Sequence, residues 1–390
     1  MNAVALAVLF AAGALGLYAY VGYPLILLAL PRRPRREKEA GPTARHWPDL
    51  SITVPIHNEA ANLRGLLENL LALEYPGRRQ ILVVSDGSTD TSDAIVASYA
   101  ARGIELLHLT ERRGKTAAEN AARPYLKGDI IVNTDASVRL HPRAVMQLVA
   151  AFADPSVGVA SACDVSVANP ETQANAGEGA YVGYEMWVRD KETAVDGIVG
   201  ASGCLYAIRA DLHMHPVPEA LSRDFSAALT AREHGRRAVS VRDALCFVPR
   251  SASLQQEYRR KVRTITRGVA TLAHRRALLN PRRYGAFAWM LFSHKVCRWL
   301  VPWALVMALA ALSALAVTAL WARVALAGAV ALGALAAIGW RWSVGKPMPR
   351  LLALPTYVVA GNLAVLHAWL RFWAGRSAPV WEPTRRGVVS

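Results

Sequence analysis

ILVVSDGSTDTS, Ile81 to Ser92, is the stretch that decides the fold. Its apolar residues run into Asp86, and Gly, Ser and Thr then lead to a second acid, Asp90. A continuous apolar run bounded by turn residues predicts a strand buried on both faces. The pattern repeats outward from it, in SITVPI (51–56), GIELLHL (103–109), DIIVNT (129–134) and VGVAS (157–161). Between these runs, NEAANLRGLLENLLAL, TSDAIVASYAARG and KTAAENAARPYLKG carry helical spacing, with Asn58, Asp90 and Thr91 as caps and Gly103 and Gly128 as stops. Strands alternating with helices predict an α/β, doubly wound, mostly parallel sheet, whose ligands bind at the carboxyl ends of the strands. Asp86 and Asp90 stand there, and Asp90 also reads as the cap of the next helix.

This sheet occupies only the middle of a chain of 390 residues, 53% of them hydrophobic. Residues 1–31 contain no charge and exceed the roughly 20 apolar residues that span a bilayer core. They lack a basic start and end in arginines, so they read as a retained anchor and not a signal peptide. Val301 to Ala322 and Val324 to Trp340, parted only by Arg323, read as a membrane hairpin. Leu351 to Leu370 is a fourth run, interrupted by Pro355, Gly361, Asn362 and His367.

The formal charge is +16. Its distribution argues for membrane orientation: PRRPRREK follows the first anchor, while EYRRKVRTITRG and NPRRYG precede the next membrane run. Arginines so placed put the N-terminus outside and the intervening domain in the cytoplasm. No helix-turn-helix or aromatic-interleaved basic array speaks for nucleic acid. Cys163, Cys204, Cys246 and Cys297 are too far apart for a CxxC site and read as thiols of a reducing compartment.

Neither GxGxxG nor GxxxxGK[ST] is present. Instead VPIHNEA follows the first strand and NTDAS, with Asp135, follows another. Carboxylates after three different strands suit a divalent metal and a sugar nucleotide, whose diphosphate gathers charge as it leaves.

VPIHNEA, VVSDGSTDTS, RRGKTAAEN, TDAS, SRDFSAAL and EYRRKVRTITRG, in that order between membrane helices, resemble the membrane-bound glycosyltransferase family 2 enzymes of GT-A fold. That group includes the cellulose, chitin, hyaluronan and poly-N-acetylglucosamine synthases. The resemblance implies an α/β GT-A cytoplasmic domain between transmembrane helices. It implies that Pro55, Asn58 and Glu59 lie beside the nucleoside, that Asp86 accepts from uracil or ribose, and that Lys115 reaches the diphosphate. Asp135 would be the first metal ligand of a DxD motif, with Mg²⁺ or Mn²⁺ as cofactor, and Ser137 stands at its third position. A hydroxyl is a poor ligand beside a carboxylate, so diphosphate and water would complete the site.

SRDFSAAL corresponds to the family's Thr-Glu-Asp motif, which implies Asp224 as the base that takes the acceptor hydroxyl's proton. Arg223 replaces the glutamate, and a cation there would lower the pKa of its neighbour unless burial opposes it. GASGCLYAIR places Gly200 and Gly203 where backbone could approach a sugar. The QxxRW motif aligns on Gly268 with Arg260, Arg263 and Thr264; aligned on Gln256 it selects Arg259 and Arg260. Tyr258, Val262, Ile265, Val269 and Leu272 form an apolar stripe expected in the membrane interface. In the tail, Trp381, Thr384 and Arg386 match a loop that covers bound nucleotide. Four full crossings would leave that tail outside, so either the run 351–370 re-enters the interface or the match is accidental.

The expected organisation is an anchor (1–31), a basic linker (32–47), the glycosyltransferase domain (48–250), amphipathic interface helices (251–298), membrane helices (299–374) and a basic tail (375–390). The expected activity is inverting transfer from a UDP-sugar to a growing polysaccharide or to a lipid such as a polyprenyl phosphate or ceramide. It would take place on the cytoplasmic face of the inner membrane, among membrane lipids and with room for accessory export subunits. A catalytically silent nucleotide-binding subunit is the reading of another class.

Overall fold

The computed structural model describes residues 2–33, 47–167, 176–249, 253–342 and 348–376. Helix α1 (Asn2–Leu17) runs through a π-helical stretch into α2 (Tyr23–Ala29), making one rod of 28 residues. The strands and helices read around Ile81–Ser92 follow as β1 (Leu50–Ile56), α3 (Ala60–Leu71), β2 (Arg79–Asp86), α4 (Ser92–Ala97), β3 (Ile104–Leu109), α5 (Lys115–Ala122) and β4 (Ile130–Thr134). All of β1 and β4, and β2 after Arg79, is buried, which is why these strands read as unbroken apolar runs.

The next part shows fewer signals in sequence: β5 (Arg139–Leu140), α6 (Ala144–Ala150), β6 (Val157–Val167), α7 (Ala176–Val195), β7 (Leu205–Arg209), α8 (Ala210–His213), α9 (Arg223–Glu233) and β8 (Arg237–Pro249). The sheet order is β3-β2-β1-β4-β7-β6-β8-β5. Strands β3, β2, β1 and β4 are parallel, and β6 pairs parallel with β8. β7 runs antiparallel to both β4 and β6. Leu63, Leu66, Leu67 and Leu70 of α3 join Val145 and Leu148 of α6 in one core against the sheet, while Leu212, Ala227, Ala228 and Ala231 of α8 and α9 form a second. β1 leads outward to β2 and β3, and β4 lies on its other side, so the crevice where strand order reverses opens at their carboxyl ends.

The chain then forms α10 (Leu254–His274), α11 (Pro281–Leu291), a π-helical stretch, α12 (Arg298–Ala316), α13 (Leu320–Trp340) and α14 (Arg350–Trp373). Asn2–Ala29, Pro281–Ala316, Leu320–Trp340 and Arg350–Trp373 are each long and apolar enough to cross a membrane.

Three expectations change here. The hairpin turns at residues 317–319, before Arg323. The Arg323 guanidinium folds back onto the carbonyls of Ala316 and Val317 at 2.7 and 3.0 Å, serving the end of α12 instead of interrupting a span. Second, α14 is one continuous helix despite Pro355, Gly361 and Asn362. Thr356 Oγ1 and Asn362 Nδ2 donate to carbonyls one turn back, Leu352 and Val358, so these polar groups are satisfied within the helix. Third, the apolar stripe of α10 packs on protein: Val262, Val269 and Leu272 are buried, Tyr258 meets Trp340, and Gly268 meets Trp299. Trp381, Thr384 and Arg386 lie outside the described residues.

Candidate active site

Backbone geometry at the carboxyl ends of β1 and β2 fixes the first group of expected site residues. Pro55 lies within β1 and Asn58 just beyond it with φ 52°, a conformation asparagine tolerates. Its Oδ1 accepts from the amides of Thr89 and Asp90 at 2.8 and 3.3 Å, tying the first strand-to-helix turn to the second. Glu59 is buried, its amide donating to Ser92 Oγ at 3.0 Å. Asp90 does cap: its carboxylate accepts from the amides of Ser92 and Ala60. Asp86, also buried, accepts from the amides of Arg113 and Gly114 at 2.9 and 2.7 Å. Gly114 has φ 100°, which places its N–H on Asp86 and starts α5 at Lys115.

From there the Lys115 side chain enters a cavity of about 460 Å³ lined by Asp135, Ser137, Asp224, Arg260 and Arg263. Lys115 Nζ donates to Asp135 Oδ1 at 2.5 Å and to the Gly203 carbonyl at 3.0 Å. Burial alone would lower the Lys115 pKa, but the carboxylates of Asp135, Glu119 and Asp224 outweigh it and hold the ammonium above the ordinary lysine range. The Asp135 amide donates to the Cys204 carbonyl at 3.1 Å, so β4 and the approach to β7 fix its position together. A Cβ at Gly203 would stand 3.0 Å from Asp224 Oδ2, so only glycine lets the backbone pass beneath that carboxylate without displacement.

Asp224 opens α9 and accepts from Ser222 Oγ at 2.5 Å. Arg223 turns to other partners: Nε lies 3.5 Å from Glu119 Oε2, and the guanidinium donates to Asn120 Oδ1 at 2.5 Å and to the His213 carbonyl at 3.1 Å. Arg260 and Arg263 both line the cavity with Thr264, whereas Arg259 does not. Arg260 also makes a forked pair with Glu257, at 2.8 Å on both bonds.

Several groups around this cavity gave no recognised signal. Glu119 is fully buried between Lys115 and Arg223. Asp164, from β6, accepts from Ser202 Oγ at 2.7 and 2.8 Å. Arg267 donates to Thr116 Oγ1 and to the Glu219 and Leu221 carbonyls. Tyr181, Glu185 and Arg189 line the cavity from α7, and their i, i+4, i+8 spacing is a helix-face signal that a polarity scan of this segment would have found.

Among the described residues, no three His, Cys, Asp or Glu side chains gather to hold a metal ion. The donor set of Asp135 and Ser137 in one cavity still fits a hard cation that keeps water and takes its remaining oxygens from a diphosphate. It does not make a closed protein cage.

The eight-stranded mixed sheet, with charged groups gathered at strand ends and membrane-type helices set against it, is a GT-A fold. Residues 51–204 match the sequence profile of Glycosyl transferase family 2. The chain is 32% identical over 124 residues to an N-acetylglucosaminyltransferase of Mesorhizobium japonicum, covering 30% of this chain and 29% of that protein. It is 30% identical over 106 residues to a dodecaprenyl-phosphate galacturonate synthase of Rhizobium johnstonii, covering 26% of this chain and 31% of that one. In these two alignments the chain spans less than a third of the relative's length. A mannosyltransferase from Pyrobaculum calidifontis, solved with GDP-Man and Mn²⁺, superposes with a TM-score of 0.73 over 96% of this chain and 99% of that one. At 24% identity, that likeness carries the fold.

Proposed function

We propose that the protein is an inverting, metal-assisted glycosyltransferase that takes a sugar from a UDP-linked donor and passes it to an acceptor at the membrane face. The observation that carries this reading is the convergence of Lys115, Asp135 and Asp224 in one cavity between the strand ends and the membrane-type helices. In this reading the acceptor hydroxyl oxygen attacks the anomeric carbon, its proton passes to Asp224, and the bond to the diphosphate breaks with both electrons leaving on the nucleotide. Lys115 meets the departing diphosphate as a point charge, and Arg260 and Arg263 line its surroundings. A divalent cation held by Asp135 and Ser137 would neutralise charge on that diphosphate when bound. In this reading Pro55, Asn58, Glu59 and Asp86 form the nucleoside side, and the arginines flanking the membrane runs in the sequence support a cytoplasmic cavity.

A growing polysaccharide is the acceptor drawn from the sequence. A phosphate-bearing lipid is the second reading, favoured by the cations at the cavity's membrane end, Arg189, Lys295 and Arg298. Lys295 makes no ion pair among the described residues, and its ammonium stands 5.7 Å from the Phe225 ring centroid, one residue from Asp224. Detergent-purified protein incubated with radiolabelled UDP-sugars separates the readings. Polymer product supports a synthase, label that partitions into organic solvent supports a lipid acceptor, and UDP binding without turnover replaces the enzyme with a nucleotide-binding subunit.

A further inference from the structure

Lys115 and Asp135 have been given separate tasks, yet the ammonium lies on the carboxylate at 2.5 Å. A cation arriving at Asp135 competes with the ammonium for the carboxylate, and a lysine ammonium displaced within the pocket without a new anion is costly. Glu119 lies one helical turn along α5 from Lys115, the i, i+4 relation that brings two side chains together on a helix face. Its Oε1 is 3.9 Å from Lys115 Nζ, within ion-pair range and beyond hydrogen-bond range. Its Oε2 is 3.5 Å from Arg223 Nε, and Arg223 is locked in place by Asn120 and His213. Glu119 is completely buried, and neither oxygen accepts a hydrogen bond. A carboxylate fixed on one side and open on the other is an available acceptor for the ammonium.

We infer that Glu119 is a positioning residue, the second seat for the Lys115 ammonium. Lys115 rests on Asp135 in the free protein and moves to Glu119 and the donor diphosphate when Asp135 takes up a cation. Arg223 serves as the counterion that keeps this second seat in place. The inference rests on the proposed metal role of Asp135. It also assigns a task to Arg223, the residue that stands where the Thr-Glu-Asp pattern has its glutamate.

The test is Mn²⁺ titration of the full-length protein in detergent with UDP present, read by electron paramagnetic resonance of free Mn²⁺. Glu119→Gln should weaken Mn²⁺ binding about tenfold, because the ammonium is left to compete for Asp135, and Glu119→Asp should recover most of the loss. In a Lys115→Gln background the competitor is gone, and Glu119→Gln should then change Mn²⁺ affinity less than twofold. That double mutant also guards against a folding defect, since a structural loss would persist in both backgrounds. Equal weakening with and without Lys115 would overturn the inference and make Glu119 a partner of Arg223 alone. Unchanged affinity in Glu119→Gln would overturn it as well. Failure of the unmodified protein to bind Mn²⁺ would remove the metal role and this inference together, whereas normal binding by both unmodified and Glu119→Gln protein removes the inference only.

Discussion

The turns after β1 and β2 and the seam where α2, α7 and the segment before α12 meet are built by different means. In those turns backbone amides hold the acids: Arg113 and Gly114 on Asp86, Ser92 and Ala60 on Asp90. In the seam, side chains hold one another. Glu192 Oε1 is 2.5 Å from both Tyr23 Oη and His294 Nδ1, His294 Nε2 is 2.9 Å from Glu185 Oε1, and Arg298 donates to Glu185 Oε2 at 2.8 Å. Glu185 shows the strength of this arrangement. Burial would raise its pKa, but His294 and Arg298 hold its carboxyl well below the usual range. An acid held by backbone is fixed by local chain geometry, whereas an acid held by distant side chains depends on tertiary docking of α2, α7 and the start of α12.

Glu192→Leu should break this comparison most strongly. It leaves Tyr23 and His294 facing an apolar group inside the seam, and each buried polar group left without its partner costs about 1–3 kcal/mol. The thermal midpoint in detergent should fall sharply, while the UDP affinity of the protein that remains folded stays within a few-fold of normal. A variant with normal stability and weakened UDP binding would show that the seam serves the nucleotide instead of the docking.

Asp224→Asn tests the chemistry itself. The amide keeps the shape and cannot take a proton, so turnover should fall roughly 10²-fold or more with nucleotide affinity nearly constant. Near-normal turnover would remove Asp224 as the base and would favour an acceptor that needs no deprotonation, such as a phosphate oxygen.

Ser137→Asp sharpens the strand-end side. A second carboxylate beside Asp135 should tighten Mn²⁺ binding by roughly tenfold with activity retained, since ligand charge sets affinity at such sites. Full activity of the unmodified protein in excess chelator would sink the metal assignment for both residues.

The same contrast explains what could be read from sequence. Asn58, Asp86 and Asp135 stand at the ends of strands whose two buried faces leave largely apolar runs, so strand, turn and polar residue form one local word. Asp224 was legible only through resemblance, because the acid begins a helix and no apolar run leads into it. The seam as a unit was not legible: Tyr23, the α7 acids Glu185 and Glu192, and the pair His294 and Arg298 come from three segments that meet only after folding. Arg323 and Asn362 misled because a charge or amide in an apolar run reads as an interruption, while in the helix each finds a carbonyl of its own neighbourhood. The α10 stripe misled in the opposite direction, since amphipathic spacing does not distinguish a lipid partner from α14.

His213 gives the gentlest test of the comparison, because it is a side-chain-held group on the strand-end side. It is buried beneath the site, Nε2 lying 3.2 Å from both Asn133 Oδ1 and an Arg223 nitrogen. Burial, and then the positive charges of Arg223 and Arg123, hold its pKa well below the ordinary value of 6.5. The unfolded chain therefore binds a proton more readily than the folded one, and stability rises with pH in that interval. His213 contributes its full share above pH 6.5 and loses it as pH falls toward the lowered native value, by up to about 1.4 kcal/mol per pH unit. Unmodified protein should lose thermal stability as pH drops below 6.5, and His213→Gln, which cannot titrate, should flatten that part of the curve. Parallel pH profiles for the two proteins would mean that acid sensitivity resides elsewhere, and the seam around Glu185 and Glu192 would be the next place to look.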